Sequence, residues 1–534
     1  MKSILRKITA LLCALCLAAS AAGCGTFSLS AEEREVLAED EAQVVIGQSI
    51  GQELAATYAA DQIFSLNCVS DTTYNPYLTS SAWNRVVAML VYETLVVQDE
   101  NFTAQPNLIT SWSSEDGQTW TFTVDTERTF HDGGAMTAMD AVYTLQIAMN
   151  DPSGPYYTRF RNMRGVSSID SESFEVSLGT ADYRFYELLD VPCVEYNTGY
   201  NDRPPGTGPY AFSSSGRYLR LVKDPPKASD MPLETIHLKE YSAAVDILQA
   251  FEDSYIDLVI NDPTGLSSLG YSSTNIIKYV NTSNLHYLGY NSYSRIFSQS
   301  MYRSIVTYAI DRATIVSEIM KGAATATTVP IAPQSYLYPG EIASTMEYSP
   351  SGMEIALSNV GLTDADMDGF VEVGGVRTSI DFLVCSDTGT KVAAARSIAS
   401  SLRSFGFDVN LRELGYSDYL SELKRGNYDM YYAEVKLGPD WDLRPLLGMG
   451  QDLNYGDIRD ATLESRMAQV LSTEGDALLA SVQELYSYIG QNAFITPICF
   501  EKSEVLYHRG VLTGLSPTQD NVFYGIENWT VDLS

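Results

Sequence analysis

Apolar and polar positions along this chain of 534 residues follow two different periods. Trp120-Thr-Phe-Thr-Val124 is apolar at every second position after the turn Glu115-Asp-Gly117, as expected of a strand with one buried face. Ile63-Phe-Ser-Leu-Asn-Cys68 predicts the first strand of a folded body that begins near Tyr58. Asn75-Pro-Tyr77 then breaks the chain ahead of an apolar helix predicted over Trp83–Leu95. Thr137-Ala-Met-Asp140 has the spacing of a capping box and predicts a helix over Ala138–Met149. Ile305, Tyr308, Ala309, Ile315 and Ile319 fall near helical spacing, which predicts one amphipathic helix over Tyr302–Met320. Between Ser379 and Tyr432 the periods alternate, with strands at Ile380–Val384, Asp408–Glu413 and Tyr428–Tyr432. Helices are predicted between them, at Lys391–Phe405 and Tyr416–Arg425. A βαβαβ order of this kind favours an open α/β sheet with ligand beyond the strand ends.

Two segments stand outside this alternation. Pro204-Pro-Gly-Thr-Gly-Pro209 is a rigid turn that neither helix nor strand can cross, and it marks a boundary. At the start of the chain, Lys2, Arg6 and Lys7 precede a short apolar run, Ile8 to Ala19, and Ala21-Ala-Gly-Cys24. That is the layout of a secretory signal, its apolar part too short to span a bilayer. The small residues before Cys24 resemble a bacterial lipobox, whose cysteine receives a diacylglycerol; two acyl chains hold a membrane at about 0.8 kcal/mol per buried methylene. Gly25 to Glu53 carries seven acids and one arginine and reads as an acidic tether, helical in part from Ala31 to Gln52.

The formal charge of −33 repels nucleic acid and anionic lipid, and it favours solubility and cationic ligands. Beyond the leader and Cys24 there remain Cys68, Cys193, Cys385 and Cys499, scattered and without a C-x-x-C, so buried thiols are expected rather than a zinc or redox site. His131 is expected to be structural. His237, His286 and His508 have no partner at metal-ligand spacing in the sequence. Asp364-Ala-Asp-Met-Asp-Gly369 opens like an EF-hand calcium loop, but Gly375 stands where the bidentate glutamate belongs. No cofactor or metal is expected. No H-E-x-x-H occurs, the one G-x-S-x-G, Gly47-Gln-Ser-Ile-Gly51, falls within the acidic tether, and the acid pair Asp440 and Asp442 is weak evidence for a glycosidase, so an enzyme is not expected.

Several motifs then fall in a telling order. Leu108-Ile-Thr-Ser-Trp112 and Asp116-Gly117 precede Phe130-His-Asp-Gly-Gly-Ala-Met-Thr-Ala-Met-Asp-Ala-Val142. Pro205-Gly-Thr-Gly-Pro-Tyr210, Tyr287-Leu-Gly-Tyr-Asn291 and Arg303-Ser-Ile-Val-Thr-Tyr-Ala-Ile-Asp311 follow. Together they resemble the family 5 extracellular solute-binding proteins, the dipeptide and oligopeptide receptors of ABC importers. The resemblance implies a type II periplasmic-binding fold, two α/β lobes with a hinge plus an extra α+β domain on the first lobe. It places the signal peptide at 1–23, the tether at 24–57 and the first lobe at 58–92, 206–285 and 497–534. The extra domain falls at 93–205 and the second lobe at 286–496.

In peptide-binding relatives an aspartate in a "W-x-A-D-Y" stretch meets the peptide's N-terminal ammonium. The matching segment here is Glu434-Val-Lys-Leu-Gly-Pro-Asp-Trp-Asp-Leu-Arg-Pro445, with Asp440 in the aspartate's place and Trp441 after it. Leu437 replaces the tryptophan, and Leu443-Arg444 alters the downstream acid–proline pair. Asp442 is a second choice for the same role, and Asp440 could instead cap a helix starting near Trp441. Tyr432 and Glu434 at a strand end, Tyr77 after the first strand and Asn291 at the entry to the second lobe complete the candidate ligand contacts. By this resemblance the chain is a monomeric, lipid-anchored, extracytoplasmic receptor that delivers peptides to ABC permease subunits. Nickel chelate, haem or oligosaccharide capture and non-transporting peptide sensing are the alternatives.

Overall fold

The computed structural model describes residues 63–70, 72–222, 231–263, 275–377 and 379–533. The signal peptide, Cys24 and the tether lie outside them. Among the described residues no helix is long and apolar enough to cross a membrane.

One mixed sheet of eleven strands runs through the whole body. Its outer part on one side is the predicted βαβαβ unit: Ser379–Cys385 pairs in parallel with both Asp408–Leu414 and Met430–Lys436. Helices Gly389–Ser404 and Tyr416–Arg425 make the crossovers, the second ending on Gly426 at φ +66°, where a left-handed residue closes the helix. On the other side Ser65–Cys68 lies between Thr235–Glu240 and Leu258–Asn261, again in parallel. Two long antiparallel strands, Ile276–Tyr290 and Ile495–Tyr507, join the two sides. Their register slips between Asn281 and Leu285 and again between His286 and Tyr287. Such bulges bend a strand locally without ending its ladder.

A separate four-stranded antiparallel sheet, in the order Ile109–Ser113, Thr119–Val124, Ser173–Leu178, Met163–Ser168, carries the helix Ala138–Asn150. The predicted capping box is present: the Asp140 carboxylate accepts the Thr137 amide at 2.8 Å and the Thr137 hydroxyl at 2.9 Å. Trp120, Phe122 and Val124 all point inward, as their alternation predicts, and Phe122 stacks on Phe174.

Two sequence motifs prove to be a single lock. Gly208 donates its amide to the Val91 carbonyl at 2.9 Å, and a Cβ on Gly206 would sit 2.0 Å from that same oxygen. Only glycine permits this approach. His131 from the Phe130-His-Asp-Gly-Gly134 turn faces the Gly208 carbonyl through Nε2 at 2.9 Å, while its Nδ1 accepts the Gly206 amide. Docking of this turn also shortens the preceding helix. It ends at Val91 instead of Leu95, because the turn claims the last carbonyls. The single helix expected over Tyr302–Met320 is likewise corrected. It is broken into Ser300–Ser304, Val306–Ala309, Arg312–Thr314 and a π-helical turn over Ile315–Ile319. Asp311 causes the break by capping a new turn through the Thr314 amide, and buried Arg312 reaches across to the Pro497 carbonyl.

Three apolar cores result. One combines the parallel strands around Ser65–Cys68 with the four-stranded sheet; the other two cover opposite faces of the sheet around Met430–Lys436. Cys68, Cys193 and Cys499 are buried and Cys385 half-buried, all as free thiols.

Candidate functional site

The chemistry concentrates where the four-stranded-sheet region meets the loop after Met430–Lys436. That loop turns at Gly438-Pro439, and Trp441 adopts φ +55°, a conformation that costs a non-glycine residue of order 1 kcal/mol. Edge-to-face contacts hold Trp441 there, with Phe102 from across the junction at 5.2 Å and Phe500 at 5.8 Å. Asp440 does not cap a helix at Trp441, since the short helix begins at Arg444; its Oδ1 accepts the Asp442 amide at 3.2 Å. Asp442 is occupied by the guanidinium of Arg444, with Nε and Nη2 each 2.9 Å from Oδ2.

The facing surface comes from Asp182–Asp190. Phe185, Leu188 and Leu189 of the 3₁₀ turn Phe185–Leu189 enter the core, which leaves Arg184 and Glu187 for the junction. Arg184 donates through Nη2 to the backbone carbonyl of Asp440, and its Nη1 lies 3.7 Å from Glu187. Tyr336 donates to Glu187 at 3.4 Å, and the Asp182 carboxylate accepts the Arg184 amide at 2.9 Å. Asp182, Arg184, Glu187 and Asp440 are each at most 4% exposed, so water screens none of them effectively. Burial, then the charge of Asp440, pushes the Asp182 carboxyl up to about 7. Burial pushes Glu187 to about 8, and burial followed by the nearby Asp442 charge raises Asp440. Farther along the junction Lys436 meets Asp520 at 3.3 Å and the Ser283 amide donates to Gln519.

The remaining sequence candidates sit elsewhere. Tyr432 is in the core, its hydroxyl 2.9 Å from Nδ1 of His286, and Glu434 pairs with Lys391 at 2.5 Å. Asn291, just past the end of Ile276–Tyr290, clamps the Gly426 and Tyr428 carbonyls. Tyr77 donates to the Pro192 carbonyl and packs on Tyr156. None of these four contacts the Asp182–Asp440 group. Sequence reading missed Asp182, Arg184 and Glu187. Their signal, three of the four charges in the run Ala181-Asp-Tyr-Arg-Phe-Tyr-Glu-Leu-Leu-Asp190, has no clean period.

Spacing also misled for His286. The sheet brings its Nε2 to 3.2 Å from Glu501, with Glu434 alongside, and the three ligand atoms lie within 4.8 Å of one another. Antiparallel register across three strands, invisible to spacing, assembles them. The acidic turn gathers Asp364, Asp366, Asp368 and Glu372, the fourth carboxylate arriving from the ninth position rather than from Gly375 in the twelfth. Those carboxylates accept the amides of Gly369, Ala365 and Phe370, and Arg377 pairs with Asp368.

Residues 103–452 match the profile "Bacterial extracellular solute-binding proteins, family 5 Middle". The chain belongs to this family. It is therefore an extracytoplasmic solute-binding protein of the type II periplasmic-binding fold, and not an enzyme. It is 22% identical over 493 residues to the oligopeptide-binding protein AppA of Bacillus subtilis, covering 86% of this chain and 89% of that one. Heme-binding protein A of Haemophilus influenzae is 22% identical over 452 residues, covering 77% of each chain. Among solved structures, the unliganded open form of the periplasmic murein tripeptide-binding protein MppA superposes with a TM-score of 0.71 at 16% identity. That match covers 88% of this chain and 97% of MppA. In this family 5 protein the junction just described sets Asp182–Asp190, beside the four-stranded sheet, against Asp440–Arg444.

Proposed function

We propose that this protein captures peptides between its lobes and delivers them to the permease of an ABC importer. In this reading a diacylglycerol on Cys24 holds the monomeric receptor at the membrane, and the acidic segment 24–57 gives it reach. The lobes divide at 58–92, 206–285 and 497–534 against 286–496, with 93–205 as the added domain. Asp440 receives the free ammonium of the peptide, and Trp441 walls the pocket beside it.

The observation that supports this most is the state of the Asp440 carboxylate. It is buried where the loop after Met430–Lys436 meets Asp182–Asp190, accepts one backbone amide, and among the described residues has no basic side chain within ion-pairing distance. A desolvated carboxylate costs several kcal/mol unless a cation answers it. An ammonium is such a cation, and charge-assisted hydrogen bonds would hold it strongly. Relatives named for oligopeptides and dipeptides are consistent with this ligand.

Native mass spectrometry of protein purified from its own host should show a ladder of co-purified peptides. A single haem or nickel-chelate mass would instead move the protein toward the heme-binding and nickel-binding relatives. Asp440→Asn should weaken peptide binding by more than tenfold, above about 1.4 kcal/mol, with the fold intact. Unchanged calorimetric affinity would remove Asp440 from the site.

A further inference from the structure

Around the Asp440 carboxylate the charges do not balance. Asp442 is neutralised by its two contacts from Arg444 and leaves the account. What remains is three buried carboxylates, Asp182, Glu187 and Asp440, facing one guanidinium, Arg184. Asp182 and Asp440 each hold a backbone amide and no ion pair among the described residues; Glu187 holds Tyr336 and, at 3.7 Å, Arg184. Nearby Arg159 is committed to Asp190, and Lys436 to Asp520.

Arg184 supplies a second, independent sign of a missing partner. Its Nε and Nη1 hydrogens have no hydrogen-bond acceptor among the described residues, although the residue is 98% buried. Buried guanidinium donors are almost always satisfied, and each orphan costs on the order of 1–3 kcal/mol. Without a ligand, protons on the raised carboxylates relieve the imbalance; with all three ionised the site lacks two positive charges, and in either state at least one oxygen acceptor. One ammonium on Asp440 leaves a deficit of one charge. A peptide supplies the acceptor through its first carbonyl, but a neutral first residue leaves the second cation missing.

We infer that the ligand is doubly cationic where it meets this site: a peptide whose free N-terminal ammonium is accompanied by a basic side chain at its first or second residue. This rests on the peptide reading above and narrows it to basic peptides. Arg184 orients the peptide through the carbonyl oxygen, while Asp182 and Glu187 take the side-chain cation. The chain's own charge of −33 draws such ligands in and discourages acidic ones.

Isothermal titration of the purified full chain with Lys-Ala-Ala, Ala-Lys-Ala, Ala-Ala-Ala and Glu-Ala-Ala tests the assignment, with cadaverine as a non-peptide dication. At least one lysine peptide should bind tenfold or more tightly than Ala-Ala-Ala, with Glu-Ala-Ala weakest. In Glu187→Gln and in Asp182→Asn that preference should shrink below threefold, with melting temperatures confirming that both variants fold. Equal affinity for the lysine and alanine peptides, or a preference for Glu-Ala-Ala, overturns the inference while leaving a peptide receptor. Binding of cadaverine without any tripeptide overturns the peptide reading and keeps the dicationic site. Binding of no probe overturns both.

Discussion

Two buried clusters in this protein contain carboxylates at similar depth, and only one of them is complete. Around His286, the imidazole lies between the Tyr432 hydroxyl at Nδ1 and the Glu501 carboxylate at Nε2, and Glu434 is answered by Lys391. Because Glu501 can only accept, Nε2 carries the proton and Tyr432 donates to Nδ1. Burial lowers the His286 pKa to about 4, so the ring is neutral and the contact is a hydrogen bond rather than an ion pair. Around Asp440, three carboxylates share one arginine whose donors are partly orphaned. Depth alone does not distinguish the two clusters; the balance of charges and hydrogen bonds does.

Breaking the complete cluster should have the largest effect. His286→Leu removes a hydrogen-bond partner from the buried Glu501 carboxylate and from the Tyr432 hydroxyl, and each such loss costs about 1–3 kcal/mol. Urea denaturation should show that loss, while peptide affinity of the folded fraction stays within twofold.

The two clusters should also respond to pH with opposite signs. His286 titrates lower in the folded chain, at about 4, than its ordinary 6.5, so between those values the unfolded chain binds more protons and stability rises with pH. Asp182 titrates higher when folded, at about 7 against 3.8. Between those values the folded chain binds more protons, and stability falls as pH rises. Asp182→Asn should therefore stabilise the ligand-free protein by about 1–2 kcal/mol at pH 8 and by much less at pH 4. Equal shifts at the two pH values would show that Asp182 is already paired. The smallest effect belongs to the neutralised neighbour. Arg444→Gln frees Asp442 at a partly exposed position and should change stability by no more than about 1 kcal/mol, in a salt-dependent way.

Legibility in the sequence followed the range of the interactions. The βαβαβ segment could be read almost to the residue because its periods are long and its connections local. The Phe130-His-Asp-Gly-Gly and Pro205-Gly-Thr-Gly-Pro motifs could be recognised, yet their purpose, gripping each other and the end of Ala82–Val91, needed three dimensions. Asp440 and Trp441 were found by resemblance to a binding stretch. Asp182, Arg184 and Glu187 were not, since they approach Asp440 from more than two hundred and fifty positions away on a 3₁₀ turn whose apolar face follows no simple period. Tyr432 and Glu434 lay on the strand that leads to the site, but their alternation sent them into the sheet face occupied by His286.

The two long crossing strands have a further consequence. Val280 and Val505 belong to the core around Ser65–Cys68, Leu285 and Phe500 to one of the two cores beside Met430–Lys436, and Leu288 and Cys499 to the other. None of the three cores is complete without residues from strands that the others also need. The cores are thus thermodynamically coupled through these two strands.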